Sequence, residues 1–273
     1  MNVPSLSDGT IVYAWYGQTA VTTLQTMPSA TWNGNFMAVY HLNENPAGSA
    51  PQMSDSTVNG NNATMNGSVL ASQLQPGEIG SGLNFDGNTW ASLANPGNFS
   101  FERTDSFSLS GWFKLASNSS GTMLSKYPGS PTPGWLLMQA SGSAAPAVEL
   151  LLIGGAGGGI ATGATAPVSV GTWHYVVATY SGTGSVAGMQ IYVDGVNQLL
   201  TTLNNTLSAS ILNTSVRAIN GRAGPTQMST DSMDEIRISA KGVVFSPAWV
   251  TASFNNESIP ATFFNVVTGS AAP

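Results

Sequence analysis

The chain contains no cysteine among its 273 residues, so no disulfide staples the fold and no thiol serves as a metal ligand or nucleophile. Charge is nearly as scarce. Only 7% of residues are Asp, Glu, Lys or Arg, against about 25% in ordinary soluble domains. Seven Lys and Arg residues are too few to track a phosphate backbone, and a net charge of −6 with a pI near 4.6 opposes contact with nucleic acid or an anionic membrane. Long apolar runs are absent as well: none approaches the roughly 18–20 residues that span a bilayer. The opening MNVPSLSDGT lacks a basic region followed by an apolar stretch. Met1 leads directly into what reads as the interior of a larger protein.

What the chain does have is apolar content and turn chemistry. At 42% hydrophobic residues, a chain of this length buries a core of its own, and β-sandwiches of roughly 200–250 residues occur as single domains. Solubility must come from Gly, Ser, Thr and Asn, a composition similar to that of bacterial extracellular modules. Short apolar or alternating segments are each bounded by Gly, Asn, Asp or Pro, and read as strands: Thr10–Tyr16, Phe36–Leu42, Gly82–Phe85, Ser106–Leu115, Gly134–Gln139, Val148–Ile153, Thr172–Tyr180, Met189–Val193, Ser215–Asn220 and Met233–Ser239. Asn33-Gly34, Asn59-Gly60, Asn66-Gly67, Asp86-Gly87, Asp194-Gly195 and Asn220-Gly221 supply the positive φ of tight turns. Helical pattern is confined to Pro247–Phe254, entered through Ser246-Pro247. The glycine-rich 154–163 stretch lacks the Gly-Lys-Ser/Thr of a phosphate loop and reads as a hairpin or edge loop. The expected fold class is all-β, a jelly-roll sandwich of two antiparallel sheets with one short C-terminal helix.

The order of motifs from Val39 onward is more specific. Val39-Tyr40-His41-Leu42-Asn43-Glu44 precedes Asp55–Thr64 and Gly80-Ser81-Gly82-Leu83-Asn84-Phe85-Asp86-Gly87. Phe107–Lys114, Gly171–Ala178, Ile191-Tyr192-Val193-Asp194-Gly195 and Met233–Ser239 follow. In that order these segments resemble the laminin-G-like, concanavalin A-like lectin/glucanase jelly roll of bacterial surface or secreted proteins. Ile11–Gly17 is similar to the end of a β-rich domain that precedes such jelly rolls. The expected organisation is therefore an N-terminal remnant at 1–35, the jelly roll at 36–267 and a tail at 268–273, located outside the cell or on its surface. Alternation places Trp112 and Phe113 on opposite faces, and aromatics as large as Trp112 and Trp173 belong in a sandwich core.

Asp55–Asn62 is rich in carboxylate and amide oxygens, the donors calcium takes in sets of six to eight. The resemblance implies one structural calcium between this loop and the Asp of the last strand. It assigns ligand roles to Asp55 and Asp234, with Asn59 and Asn61 as weaker contributors; turn formation without an ion is the plainer reading. For catalysis the expectation is none. Retaining glycosidases need two carboxyls about 5–5.5 Å apart, and no Glu-x-Asp-x-Glu strand is present. Asp234 and Glu235 are adjacent and so should point to opposite faces. His41 and His174 read as partly covered strand residues. No Gly-x-Ser-x-Gly elbow occurs, which leaves a serine triad open without supporting one.

Binding is the expected function. Glycan-recognising surfaces pair an aromatic platform with polar groups that orient hydroxyls, and Trp90, Tyr127 and Trp135 lie in or beside turns, with Lys126 and Arg222 among the few cations. Packing is the plainer reading for the tryptophans, since Trp135 opens an apolar strand and Trp90 can cap the core. The resulting expectation is a non-catalytic carbohydrate-binding module taking a polysaccharide or glycan, with protein neighbours in a larger multidomain chain. The alternatives are a structural or adhesive module and, less favoured, a polysaccharide hydrolase or lyase.

Overall fold

A computed structural model describes residues 31–95, 97–140, 147–222 and 225–260. The strand expected at Thr10–Tyr16 and nearly all of the assigned N-terminal remnant and C-terminal tail lie outside these residues. Sixteen strands run in chain order: β1 (Phe36–Tyr40), β2 (Ala63–Asn66), β3 (Leu74–Pro76), β4 (Ser81–Asn84), β5 (Trp90–Leu93), β6 (Phe107–Lys114), β7 (Gly121–Lys126), β8 (Gly134–Ala140), β9 (Ala147–Ile153), β10 (Gly159–Ala164), β11 (Trp173–Tyr180), β12 (Met189–Val193), β13 (Val196–Asn197), β14 (Leu200–Asn205), β15 (Arg217–Ile219) and β16 (Ser232–Ser239). A helix, α1 (Pro247–Ser258), follows.

The strands form two antiparallel sheets. The first has the order β13-β12-β11-β6-β16-β4-β3, with β1 also pairing β16; the second has the order β14-β10-β9-β8-β7-β15-β5-β2. Consecutive strands pair in β11–β12–β13 and in β7–β8–β9–β10, and the crossovers between them, β6 to β11 and to β16, β7 to β15 and β10 to β14, give the jelly-roll wrapping expected from the sequence. The hairpin between β12 and β13 turns on Asp194 and Gly195, at φ +52° and +76°, the conformation that makes Asp-Gly the preferred two-residue connection.

Between the sheets lies one continuous core. It is fed by alternate residues: Leu109 and Phe113 of β6, Val176, Ala178 and Tyr180 of β11, Ile236 and Ile238 of β16 from the first sheet; Trp135 and Leu137 of β8, and Val148, Leu150 and Leu152 of β9, from the second. Phe101 stacks on Phe107 at 4.4 Å between ring centres, and Trp135 packs beside both. Each large side chain buried this fully contributes roughly 1.5–3 kcal/mol. Phe113 is thus a core residue, but Trp112 and Trp173 are not between the sheets. They face outward on the first sheet, in a second apolar cluster with Phe36, Val39, Tyr175, Tyr192, Phe245 and Val250.

That cluster exists because α1 covers the outer face of the first sheet. The Ser246 hydroxyl accepts from Trp249 N–H at 3.2 Å and Pro247 occupies the first turn, as the sequence predicts; the helix runs to Ser258, a turn beyond the expected end. The glycine-rich stretch departs from expectation. From Gly159 onward it is not loop but β10, an interior strand paired with both β9 and β14. β2, β3, β5, β7, β13 and β14 also carry too short or too polar a pattern to be read as strands beforehand.

Candidate functional site

The loop expected to hold calcium does something else. Asp55 Oδ1 accepts from Val39 N–H and Thr57 N–H, and Oδ2 accepts from the Thr57 hydroxyl and Asn61 N–H, at 2.8–3.1 Å. Asn59 and Asn61 donate their amide N–H groups to the Phe36 and Met37 carbonyls of β1, while Asn61 Oδ1 accepts from Asn95 and Asn98. These side chains clasp the free edge of β1. Asp55 and Ser56 bond to Val39 on the edge facing away from β16, whereas Asp234 sits in β16. A calcium oxygen bond is 2.3–2.6 Å, and β1 stands between the two carboxylates. The four residues do not fit one ion, and among the described residues no group of three or more His, Asp or Glu side chains is placed to hold a metal.

Asp234 is instead wrapped by the β3–β4 turn. Its Oδ2 accepts from Ile79 N–H at 2.8 Å, and Oδ1 is buried without a partner. Burial pushes its pKa up to about 7, with the Ile79 hydrogen bond pulling the other way. The expected opposition of Asp234 and Glu235 also fails. The register of β16 on β6 shifts between Asp234 and Arg237, and Glu235 has φ +51°; such a bulge breaks the two-residue period. Asp234 stands opposite Trp112 and so shares its outward face. Glu235 joins an ionic network on that same side: Arg237 bonds Glu235 at 2.8 Å and Glu257 at 2.6 Å, His41 bonds Glu235 at 2.6 Å, and Trp112 Nε1–H donates to Glu257 at 2.7 Å. Arg237 also lies 5.2 Å from the Trp32 ring. Two carboxylates on one arginine under a helix, all three side chains 5–7% exposed, form a structural clasp.

The five expected ligand residues separate into two groups. Trp135 is 1% exposed in the core, its Nε1–H donating to Phe99 O. Lys126 stands directly opposite it, 2% exposed, with Nζ on the Ser100 hydroxyl and its pKa lowered to about 8 by burial and then by Arg217. Both are excluded as surface contacts, because the strand phase turns them inward. Trp90, Tyr127 and Arg222 share the outer side of the second sheet. Trp90 alternates with buried Ala91 and Leu93 on β5, near the β2 edge. Tyr127 packs on outward-facing Leu136 and Met138 of β8 and on half-buried Leu151 and Ile153 of β9, and Arg222 lies 5.1 Å above its ring.

This strip continues to a residue that sequence reasoning missed. Glu149 of β9 stands opposite Met138, and burial raises its carboxyl pKa. Across β10 the outward positions are Gly159, Ala161 and Gly163; a Cβ at Gly163 would lie 3.3 Å from Glu149 Cγ and 3.6 Å from Leu203 Cδ1. The glycine floor lets Glu149 and Leu203 lean over the sheet. Among the described residues neither Arg222 nor Glu149 takes part in an ion pair. Tyr127 and Glu149 are about four residues apart along β8, roughly 13 Å at ~3.3 Å per residue. The signal for Glu149 was its place as the lone acid among the alternating apolar residues of Val148–Ile153.

Residues 85–251, more than half of the chain, match the sequence model of the concanavalin A-like lectin/glucanases superfamily. The chain belongs to that superfamily. No curated protein matches the sequence. Among solved structures it is similar to domain 4 of the extracellular arabinanase AbnA from Geobacillus stearothermophilus, in complex with arabinotriose. That pair has 17% identity and a TM-score of 0.55, covering 80% of this chain and 97% of that one. It is also similar to the binding domains of Paraclostridial Mosquitocidal Protein 1 (14% identity, TM-score 0.56, 81% of this chain) and of botulinum neurotoxin serotype C1 (16%, 0.55, 82%). It spans about half, 52%, of each toxin domain. At these identities the likeness establishes the fold. Within the superfamily architecture, the second sheet's outer face carries buried Tyr127, Leu136 and Met138 beside the half-buried Arg222 and Glu149.

Proposed function

We propose that the protein is a carbohydrate-binding module whose site, the outer face of the second sheet, binds without catalysis. The observation that carries the reading is the pairing of two unbridged, half-buried charges, Arg222 and Glu149, at opposite ends of an outward-facing apolar strip in which Leu151 and Ile153 are part-exposed over buried Leu136 and Met138. Sugar rings present C–H faces that suit such a strip, and hydroxyls that a guanidinium donates to and a carboxylate accepts from. The arabinanase domain solved with arabinotriose supports a linear oligosaccharide as ligand. The reading carries with it an extracellular or cell-surface location. Affinity electrophoresis through gels of arabinan and other polysaccharides tests it. Retardation of the parent, reduced in Arg222→Ala and Glu149→Gln with folding intact, is expected; equal mobility of parent and variants in every polysaccharide removes it.

A second reading, an adhesive module, has its own observation. β14 is an exposed edge strand with Leu203 51% exposed, beside Leu199 at 78% and Val196 at 63%. An edge of this kind accepts another strand. Light scattering across a concentration series separates the two readings.

A further inference from the structure

At the end of the sandwich where β11 begins, three side chains fall into line. His174 Nδ1 is 2.7 Å from Asp194 Oδ2, and His174 Nε2 is 2.7 Å from the Ser169 hydroxyl. The Thr172 hydroxyl is 2.5 Å from that of Ser169. The fold fixes each part. Asp194 is held at the β12–β13 turn, where its Oδ1 accepts from Tyr175 N–H and its own N–H donates to Tyr175 O. His174 is the second residue of β11, and Ser169 and Thr172 belong to the segment before it.

The protons follow from the acceptors. The Asp194 carboxylate can only accept, so His174 carries its hydrogen on Nδ1 and presents a bare Nε2. The Ser169 hydroxyl therefore donates to Nε2, and the Thr172 hydroxyl donates to Ser169 Oγ. That is a nucleophile, a base and an orienting acid in the relation that activates serine on unrelated folds, where roles and geometry define the site rather than sequence order. Ser169 and Thr172 are exposed while the His174 side chain is only 16% exposed, so the reactive oxygen faces solvent and the base is sheltered.

We propose that Ser169, His174 and Asp194 form a serine-nucleophile site that hydrolyses short acyl esters. An exposed nucleophile suits a small acyl group presented on a large carrier, such as an O-acetylated polymer. Ser169 Oγ bonds to the acyl carbon as its proton passes to His174 Nε2, and the Thr172 hydroxyl turns its hydrogen toward the oxyanion. The ester C–O bond breaks, and the departing alcohol oxygen takes the proton from Nε2. Water then attacks the acyl carbon and gives its proton to Nε2; the bond to Ser169 Oγ breaks, and Ser169 recovers that proton. Ester and water become acid and alcohol. Asp194 is a positioning residue, acting through the imidazole.

Turnover of 4-nitrophenyl acetate by the full chain is the first readout. Ser169→Ala should lower it roughly 100-fold, the scale of losing base-assisted attack. Asp194→Asn keeps an acceptor for Tyr175 N–H but turns an amide N–H toward Nδ1, so kcat should fall at least about tenfold with KM held. The second readout is a fluorophosphonate probe with peptide mass spectrometry, which should place the adduct on Ser169 in the parent and lose it in a folded His174→Ala variant. Equal turnover by parent and Ser169→Ala, or an unlabelled Ser169, overturns the proposal, and neither outcome bears on glycan binding at the second sheet.

Discussion

The two outer faces of this sandwich are built from the same kind of strand and have opposite fates. On the first sheet, Trp112, Tyr175 and Arg237 point outward into a helix, and the buried arginine is matched by Glu235 and Glu257, Glu235 also by His41. On the second sheet, Leu136, Met138, Leu151 and Glu149 also point outward, with Leu136 and Met138 buried, but Arg222 and Glu149 have no ionic partner among the described residues. A covered face must satisfy its polar groups internally, since a buried charge without a partner costs several kcal/mol. The second sheet leaves its two outward charges unpaired. Stability thus rests on the charges of the first sheet and the proposed recognition on those of the second.

The division is broken most forcefully at Arg237. Arg237→Ala leaves Glu235 and Glu257 buried and opposed, and should lower unfolding free energy by about 3–5 kcal/mol in urea titrations. Asp234 gives the next effect. Its carboxyl is neutral in the folded state up to about pH 7 but ionises near 3.8 when exposed, so the unfolded state releases its proton first. Stability is then lost as pH rises from about 4 through 7. Asp234→Asn should therefore raise the unfolding midpoint at pH 8, by on the order of 2 kcal/mol after screening, and leave it unchanged at pH 4. Ser246→Ala removes the helix cap and should cost about 1 kcal/mol by thermal unfolding. The smallest change in stability belongs to the second sheet: Arg222→Ala and Glu149→Gln should stay within ~0.5 kcal/mol of the parent, while polysaccharide retardation drops about tenfold, equivalent to ~1.4 kcal/mol of affinity. A large stability loss from either of these substitutions would erase the contrast between the faces.

Much of the architecture was legible in the chain. Alternation and Asn-Gly or Asp-Gly punctuation located nine of the strands, and Ser246-Pro247 located the helix. The failures have physical causes. β10 hides in a glycine run because its outward positions must be small beneath Glu149 and Leu203, so composition imitates a loop. Trp112 was assigned to the core because its mass asks for burial, which the period alone cannot direct to one side; the helix supplied a second buried side. Glu235 escaped its expected face through one residue at positive φ. Of the proposed site, Tyr127 and Arg222 are singled out by turn position and charge. Trp135 and Lys126 were misplaced because a turn-flanking residue still obeys the phase of its strand. The acidic loop named for calcium has the right oxygens, but they point at N–H and O–H groups, and no spacing rule reveals where an oxygen points.

β1 pairs with β16, and α1 packs back over both through Phe36, Phe245 and Trp249. The helix that covers the first sheet therefore rests on a strand from near the other end of the chain: Phe36 of β1 is part of its seat, and β1 is itself held by β16, so loosening β1 would unseat α1 while leaving every pairing of the second sheet in place.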